Sequence, residues 1–246
     1  MVALLCGRES RSCRHRTLPG LVRVGILALP VAGLLKLVGN LGTFNSVGLD
    51  VPDEEAARAV SSTGFFVGEF VGSVLPVVLT IFGVLALFAY LANTSAGRWA
   101  TMAMVSSVLG AALTLPALGV INYALPAIGR AYLAGQEDAF RIADAFFSFP
   151  SVAMFFPSFL YPIGAILFSI GIWRSGTLPR WAGVLYAISG LLLSFPLPIH
   201  TVRVVGGMLL VLGSGWIALS VLRQPSARME PEDSVPVEAR ARSRVR

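Results

Sequence analysis

Polar and apolar positions in this chain separate into long blocks rather than short periods. Six runs are almost free of ionisable side chains: Leu21–Leu41, Val67–Leu91, Trp99–Tyr123, Ser151–Trp173, Trp181–Ile199 and Val204–Leu222. A bilayer's hydrocarbon core, about 30 Å thick, is crossed by about 20 apolar residues of helix, so each run predicts a transmembrane span. The predicted fold class is all-α, a polytopic membrane helix bundle of six transmembrane helices. The ten-residue alternating segments of a transmembrane β-barrel are not present.

The fourth and fifth runs form the clearest unit, a hairpin whose arms carry no ionisable side chain. They are joined by the polar turn Arg174-Ser175-Gly176-Thr177-Leu178-Pro179-Arg180. Trp173 and Trp181 stand just inside Arg174 and Arg180, the order expected where aromatic rings sit at headgroup level and cations beyond them. The stretch Val67–Tyr123 carries the same marks. Arg98-Trp99-Ala100 matches Arg180-Trp181-Ala182, and Pro76 precedes Gly83 by the same interval as Pro157 precedes Gly164. A pattern G-x-x-L-[TS]-x-P runs from Gly110 to Pro116 and again from Gly190 to Pro196. These marks predict a parallel two-helix internal repeat, spans two and three against spans four and five.

Between the runs lie shorter elements. Pro52 followed by Asp53, Glu54 and Glu55 reads as a helix start, and Glu54 with Arg58 is an i,i+4 pair that favours a short surface helix. Gly129–Phe149 is amphipathic, with Ala139, Phe140, Ala143, Phe146 and Phe147 opposite Glu137, Asp138, Arg141 and Asp144, and is expected to lie along the membrane surface. The domain plan is an Arg-rich segment at residues 1–20, a six-helix membrane domain at 21–223, and a polar tail at 224–246 expected to be disordered. The first run lacks a small-residue cleavage site and is expected to be a retained helix rather than a signal peptide.

Composition agrees with this class: 55% of the 246 residues are hydrophobic, 13% are charged, and the mean hydropathy is +0.76. A soluble domain needs more surface charge than that. The net charge of +6 does not point to nucleic acid, because the cations concentrate in tails and turns of one side. That side holds Arg8, Arg11, Arg14, Arg16, Arg23, Arg98, Arg174, Arg180, Arg223 and five further tail arginines. The other side holds Arg58, Arg130, Arg141 and Arg203, with Lys36 near it, and eight of the 13 acids. The positive-inside rule then predicts a bacterial inner-membrane protein with both termini in the cytoplasm, the lipid bilayer its partner. Cys6 and Cys13, the two cysteines, are expected to be reduced thiols.

Candidate chemistry is sparse. Ionisable groups within membrane spans are costly and so mark sites, and Lys36 and Glu69 stand at similar depth in the outer leaflet as a possible polar pair. Gly64, Gly68 and Gly72 form a small-residue line that predicts a helix-packing face within the monomer. Pro76, Pro116, Pro157, Pro162 and Pro196 fall in the outer or middle parts of their spans and predict kinked outer halves around a cavity, with Thr114 and Ser194 as partners for freed carbonyls. No metalloprotease, phosphate-loop, dinucleotide or nucleophile-elbow pattern occurs. The expectation is therefore no cofactor, no metal and no catalytic residue.

The turn from Trp173 to Gly183, the Gly190-Leu-Leu-Leu after it and the acidic first outer loop resemble those of uncharacterised six-span integral membrane proteins of actinobacteria. The resemblance covers most of residues 20–223 and implies a shared fold without a known activity. The functional expectation is a non-enzymatic structural, sensory or accessory membrane component. The alternative is a small permease for an apolar or weakly polar solute, which would need polar groups converging at mid-membrane; Asn122, Tyr161 and Tyr186 are the candidates.

Overall fold

The computed structural model describes residues 20–41, 53–136, 138–139, 141–142, 159–194 and 200–224. Seven principal helices run through these residues: α1 Gly20–Leu41, α2 Asp53–Val60, α3 Thr63–Leu91, α4 Gly97–Leu133, α5 Leu160–Ser175, α6 Arg180–Ser194 and α7 His200–Arg223. No strand occurs among the described residues. Four of the helices, α1, α3, α4 and α7, are long and apolar enough to cross a membrane. The hairpin arms are seen only as the 16 residues of α5 and the 15 of α6, because 151–158 and 195–199 lie outside the described residues.

Leaving aside the short α2, the helices pack in chain order, α1 on α3, α3 on α4, α4 on α5, α5 on α6 and α6 on α7, and α7 returns to α1. The result is a closed ring of six. Its outer surface is apolar: Leu21, Val24, Val38, Phe82, Leu212 and Leu219 are all more than half exposed. A contiguous apolar exterior of this kind fits a membrane-embedded protein. The middle of the ring is filled by Phe168, Tyr186, Leu87, Ile172 and Ile217, each fully buried.

Without a hydrophobic force between helices in lipid, close backbone approach at small residues holds such rings together. Cβ atoms built on the glycines show where this happens. At Gly110 the added carbon would collide with the Tyr161 backbone nitrogen, and at Gly164 it would lie 2.6 Å from that of Ser107, so α4 and α5 touch at two levels. Gly39 of α1 and Gly72 of α3 face one another with 2.5 and 2.6 Å from each added carbon to the opposite Cα. Gly213 does the same for α7 against the Tyr186 nitrogen of α6, at 2.8 Å.

Both α3 and α4 contain a π-helical turn, Phe70–Val74 and Val120–Ala124, each followed by Leu-Pro. Pro76 and Pro126 cannot donate to the carbonyls of Gly72 and Asn122, and the ring crowds those oxygens; a widened turn just upstream relieves the clash. Leu75 and Leu125 instead donate five residues back, to Phe70 and Val120. This is how the expected kinks are realised in two places, and Pro126 was not among the prolines singled out. Pro162 sits in the first turn of α5, where no donor is needed, and Pro116 is an exposed residue within α4. Pro157 and Pro196 lie outside the described residues. Thr114 and Ser194 donate to the carbonyls of Gly110 and Gly190 at 2.8 and 2.7 Å. Those carbonyls sit four residues before the hydroxyls, whereas Pro116 and Pro196 free the carbonyls of Ala112 and Leu192.

One end of the ring gathers the α3–α4 and α5–α6 turns with the start of α1 and the end of α7. Gln224 ties them together: its carbonyl accepts from Arg23 Nη2 at 2.6 Å, its Oε1 from Tyr90 OH at 2.6 Å, and its Nε2 donates to Thr177 O at 3.0 Å. Gln224 thus belongs to the bundle, which extends one residue beyond the boundary drawn from the sequence. The guanidinium of Arg174 lies 4.9 Å from the Trp99 ring centre, and that of Arg180 lies 5.4 Å from that of Trp173. Leu178, 4% exposed, anchors the second turn in the core. Among the described residues this end carries arginines and no acid, while the acids Glu54, Glu55, Glu69 and Asp138 lie elsewhere.

At the other end α2 lies across the last part of α4. Gly129 permits it: a carbon added there would meet Ser61 Oγ and Val60 Cγ2, each at 2.7 Å. Glu54 and Arg58 pair on the exposed side of α2 as their spacing predicts. Gly129–Leu133, expected to open a surface helix, instead continues α4 to a Schellman close at Gly135, whose φ of 93° suits glycine. Gln136 N donates to Ala131 O and Gly135 N to Tyr132 O there. Most of 137–150, including Phe140, Ala143, Phe146 and Phe147, lies outside the described residues.

Candidate functional site

Lys36 and Glu69 reach the same end of the bundle without joining as an ion pair. The half-buried ammonium of Lys36 donates to Ser73 Oγ at 3.3 Å, inside the π turn of α3, with Glu69 and Arg203 as the charges that act on it through space. Beside it, Asn40 Nδ2 donates to Arg203 O at 3.0 Å, and a His200 ring nitrogen lies 2.8 Å from Asn40 O, clasping α1 to α7. Of the three expected packing glycines, Gly72 is buried at the crossing with Gly39, Gly68 is half-buried and Gly64 is exposed. The π turn accounts for the broken line, because an extra residue in one turn rotates the downstream helix by about 100°.

A different set of residues forms a cleft, of about 410 Å³, where the outer parts of α3 and α4 meet. The linker between α2 and α3 supplies Ser61 and Ser62, and α3 supplies Thr63 and Phe66. The π turn of α4 supplies Asn122 and Tyr123, and the segment after it supplies Pro126 and Arg130. Ser62 is committed to capping α3, accepting from Phe65 N at 3.1 Å and donating to Ala59 O at 2.7 Å. Asn122, 0% exposed, donates Nδ2 to Leu118 O at 3.0 Å, but its Oδ1 has no partner, and neither does Ser61 Oγ. Phe66 and Tyr123 meet edge to face at 5.7 Å, and Phe66 stacks on Phe70 at 6.5 Å. Arg130 is exposed and makes no ion pair among the described residues.

A third polar group lies inside the ring. The hydroxyls of Tyr161, Tyr186 and Thr80 come near one another from α5, α6 and α3. The fully buried Tyr186 OH lies close to that of Tyr161 without a well-formed hydrogen bond, and Ser107 Oγ is likewise unpartnered. Asn122, Tyr161 and Tyr186 could be noted in the sequence as polar marks in apolar runs. Ser61, Ser73 and Arg130 could not, because their importance comes from the π turns and the fold-back of α2. Among the described residues no three His, Cys, Asp or Glu side chains cluster in a way that could hold a metal ion. Cys6, Cys13 and His15 lie outside them.

The fold and these sites define a class, an all-helical protein with four helices suited to crossing a membrane and polar sites at one end and in its middle. Comparison with protein-family models, with curated proteins and with solved structures gives no match for this chain.

Proposed function

We propose that this chain is a six-span protein of a bacterial inner membrane, both termini cytoplasmic, serving as a non-enzymatic structural, sensory or accessory component like the uncharacterised actinobacterial proteins it resembles. The observation that carries the reading is the segregation of charge between the two ends of a closed ring. Arg23, Arg98, Arg174, Arg180 and Arg223 gather around the Gln224 end, where no described acid is found. By the positive-inside rule that end faces the cytoplasm. The continuous ring supports counting α5 and α6 as spans despite their shorter described lengths. The repeat draws support from Thr114 and Ser194, which occupy matching motif positions and make matching bonds to Gly110 and Gly190.

The second reading, a small permease, is favoured by one observation, the meeting of the Thr80, Tyr161 and Tyr186 hydroxyls in mid-ring. One labelling experiment separates the readings. The native Cys6 and Cys13 should stay unlabelled by a membrane-impermeant maleimide in intact cells and react once membranes are opened, while Gln136→Cys should react from outside. Labelling of the native cysteines in intact cells would refute the topology. In a chain lacking the native cysteines, reaction of Thr80→Cys would reveal a water path and overturn the non-transporting role.

A further inference from the structure

The cleft between α3 and α4 has features that select a ligand. Its depth can be placed first. From Leu91 at the inner turn back to Phe66 the helix rises roughly 37 Å, and from Trp99 to Asn122 roughly 35 Å, at 1.5 Å per residue. Both exceed a hydrocarbon core of about 30 Å and fall within the 40–45 Å that includes the headgroups. The cleft therefore stands at phosphate level.

Its chemistry is two-sided. Arg130 brings a guanidinium with no ion-pair partner among the described residues, and Ser61 brings a hydroxyl whose oxygen is buried and unpartnered. Together they suit a phosphate, which accepts paired N–H bonds from a guanidinium and an O–H bond from serine. At the back, Asn122 presents a carboxamide oxygen with no donor, in a residue that is 0% exposed. A bare phosphate cannot satisfy that oxygen; a ligand hydroxyl can. An unsatisfied buried acceptor costs about 1–3 kcal/mol, so its presence in a cleft wall is a mark of a missing donor. From the rim, Phe66 stacks on Phe70, and Tyr123 and Phe70 are 62% and 40% exposed. These rings lead from the cleft down the lipid-facing flank of α3, a path for an acyl chain rather than for water.

We propose that this cleft seats the headgroup of an anionic phospholipid bearing hydroxyls, of the phosphatidylglycerol type, with Arg130 and Ser61 on the phosphate, Asn122 on a head hydroxyl and the chain along Phe66 and Phe70. The inference rests on membrane embedding but not on which end faces the cytoplasm. It is tested on the purified full chain in detergent micelles by native mass spectrometry, titrating phosphatidylglycerol, phosphatidylcholine and free glycerol phosphate. Phosphatidylglycerol should bind at least about tenfold more tightly than phosphatidylcholine, and Arg130→Gln should remove that preference, as expected for one charge-assisted contact. Arg223→Gln, at the opposite end, should leave it in place. Thermal melts of both variants verify folding, which the exposure of Arg130 favours. Equal binding of the two lipids, or equal losses in Arg130→Gln and Arg223→Gln, would overturn the site. Glycerol phosphate binding as tightly as the lipid would overturn the acyl path and leave a soluble phosphorylated polyol as the occupant.

Discussion

Replacing Gly72 by alanine tests the packing logic of the whole ring. The new methyl would stand 2.6 Å from the Cα of Gly39. Unstrained carbon contacts lie at about 3.5–4.0 Å, so α1 and α3 must part by about 1 Å. Neither side can yield by a rotamer change, because the obstructing atom is backbone. Overpacked cores lose about 1–3 kcal/mol, and a backbone-to-backbone clash belongs at the upper end. Alanine returns about 0.5–1 kcal/mol through lower backbone entropy in a helix interior. The net expectation is a loss of about 2 kcal/mol. Gly215→Ala is the matched control, since a carbon added there meets nothing within 4 Å and should leave stability unchanged or raised. Unfolding in mixed micelles with increasing dodecyl sulfate, followed by circular dichroism, reads the difference. Gly39→Ala should cost a similar amount, and the double variant less than the sum, because the helices need to part only once. If Gly72→Ala matches Gly215→Ala, or the double variant is fully additive, the Gly39–Gly72 crossing does not hold α1 to α3.

Two further outcomes rest on particular contacts. Gln224→Ala removes the side-chain bonds to Tyr90 and Thr177 and should cost about 1–3 kcal/mol in the same unfolding assay, whereas a chain ending at Gln224 should unfold like the full chain; a loss from truncation as large as that from the substitution would refute the latch. Lys36→Leu exchanges an ammonium holding one 3.3 Å bond for an apolar side chain and should raise stability, by less than the roughly 2.5–3.5 kcal/mol that a charge costs at the bilayer centre. A fall of more than about 1 kcal/mol would mean that attraction to Glu69 outweighs desolvation.

The helical class, the apolar stretches and the two arginine-flanked turns were legible because they depend on local facts: run length, and tryptophan beside arginine. Thus the Arg98 and Arg174–Arg180 turns lie at one end, as their positions predicted. The end of α4 was not legible. Gly129 looked like a start because small residues interrupt apolar runs, yet it is small to admit Val60 and Ser61 of a segment about 70 residues earlier, a contact that no local pattern encodes. Lys36 and Glu69 were found by the cost of charge in lipid, but their partners were not. Equal depth is a one-dimensional statement, and the rotation of α3 after its π turn brings Ser73 to the ammonium instead.

The two π turns explain why polar chemistry collects at one end of an otherwise apolar ring. A proline within hydrocarbon strands a carbonyl that no water can reach. Measured from the inner turns, the carbonyls freed by Pro76 and Pro126 stand roughly 28 Å and 34 Å up their helices, at the outer margin of a core about 30 Å thick. There headgroups and water can satisfy them, so the break is tolerated. The same widened turns rotate Ser73 towards Lys36 and place Asn122 at the back of the cleft. Prolines twelve residues deeper would impose the same geometry at far greater cost, about several kcal/mol for each unsatisfied group. Depth, set by the distance from the arginine-bearing turns, is therefore what lets α3 and α4 build a polar site without destabilising the ring.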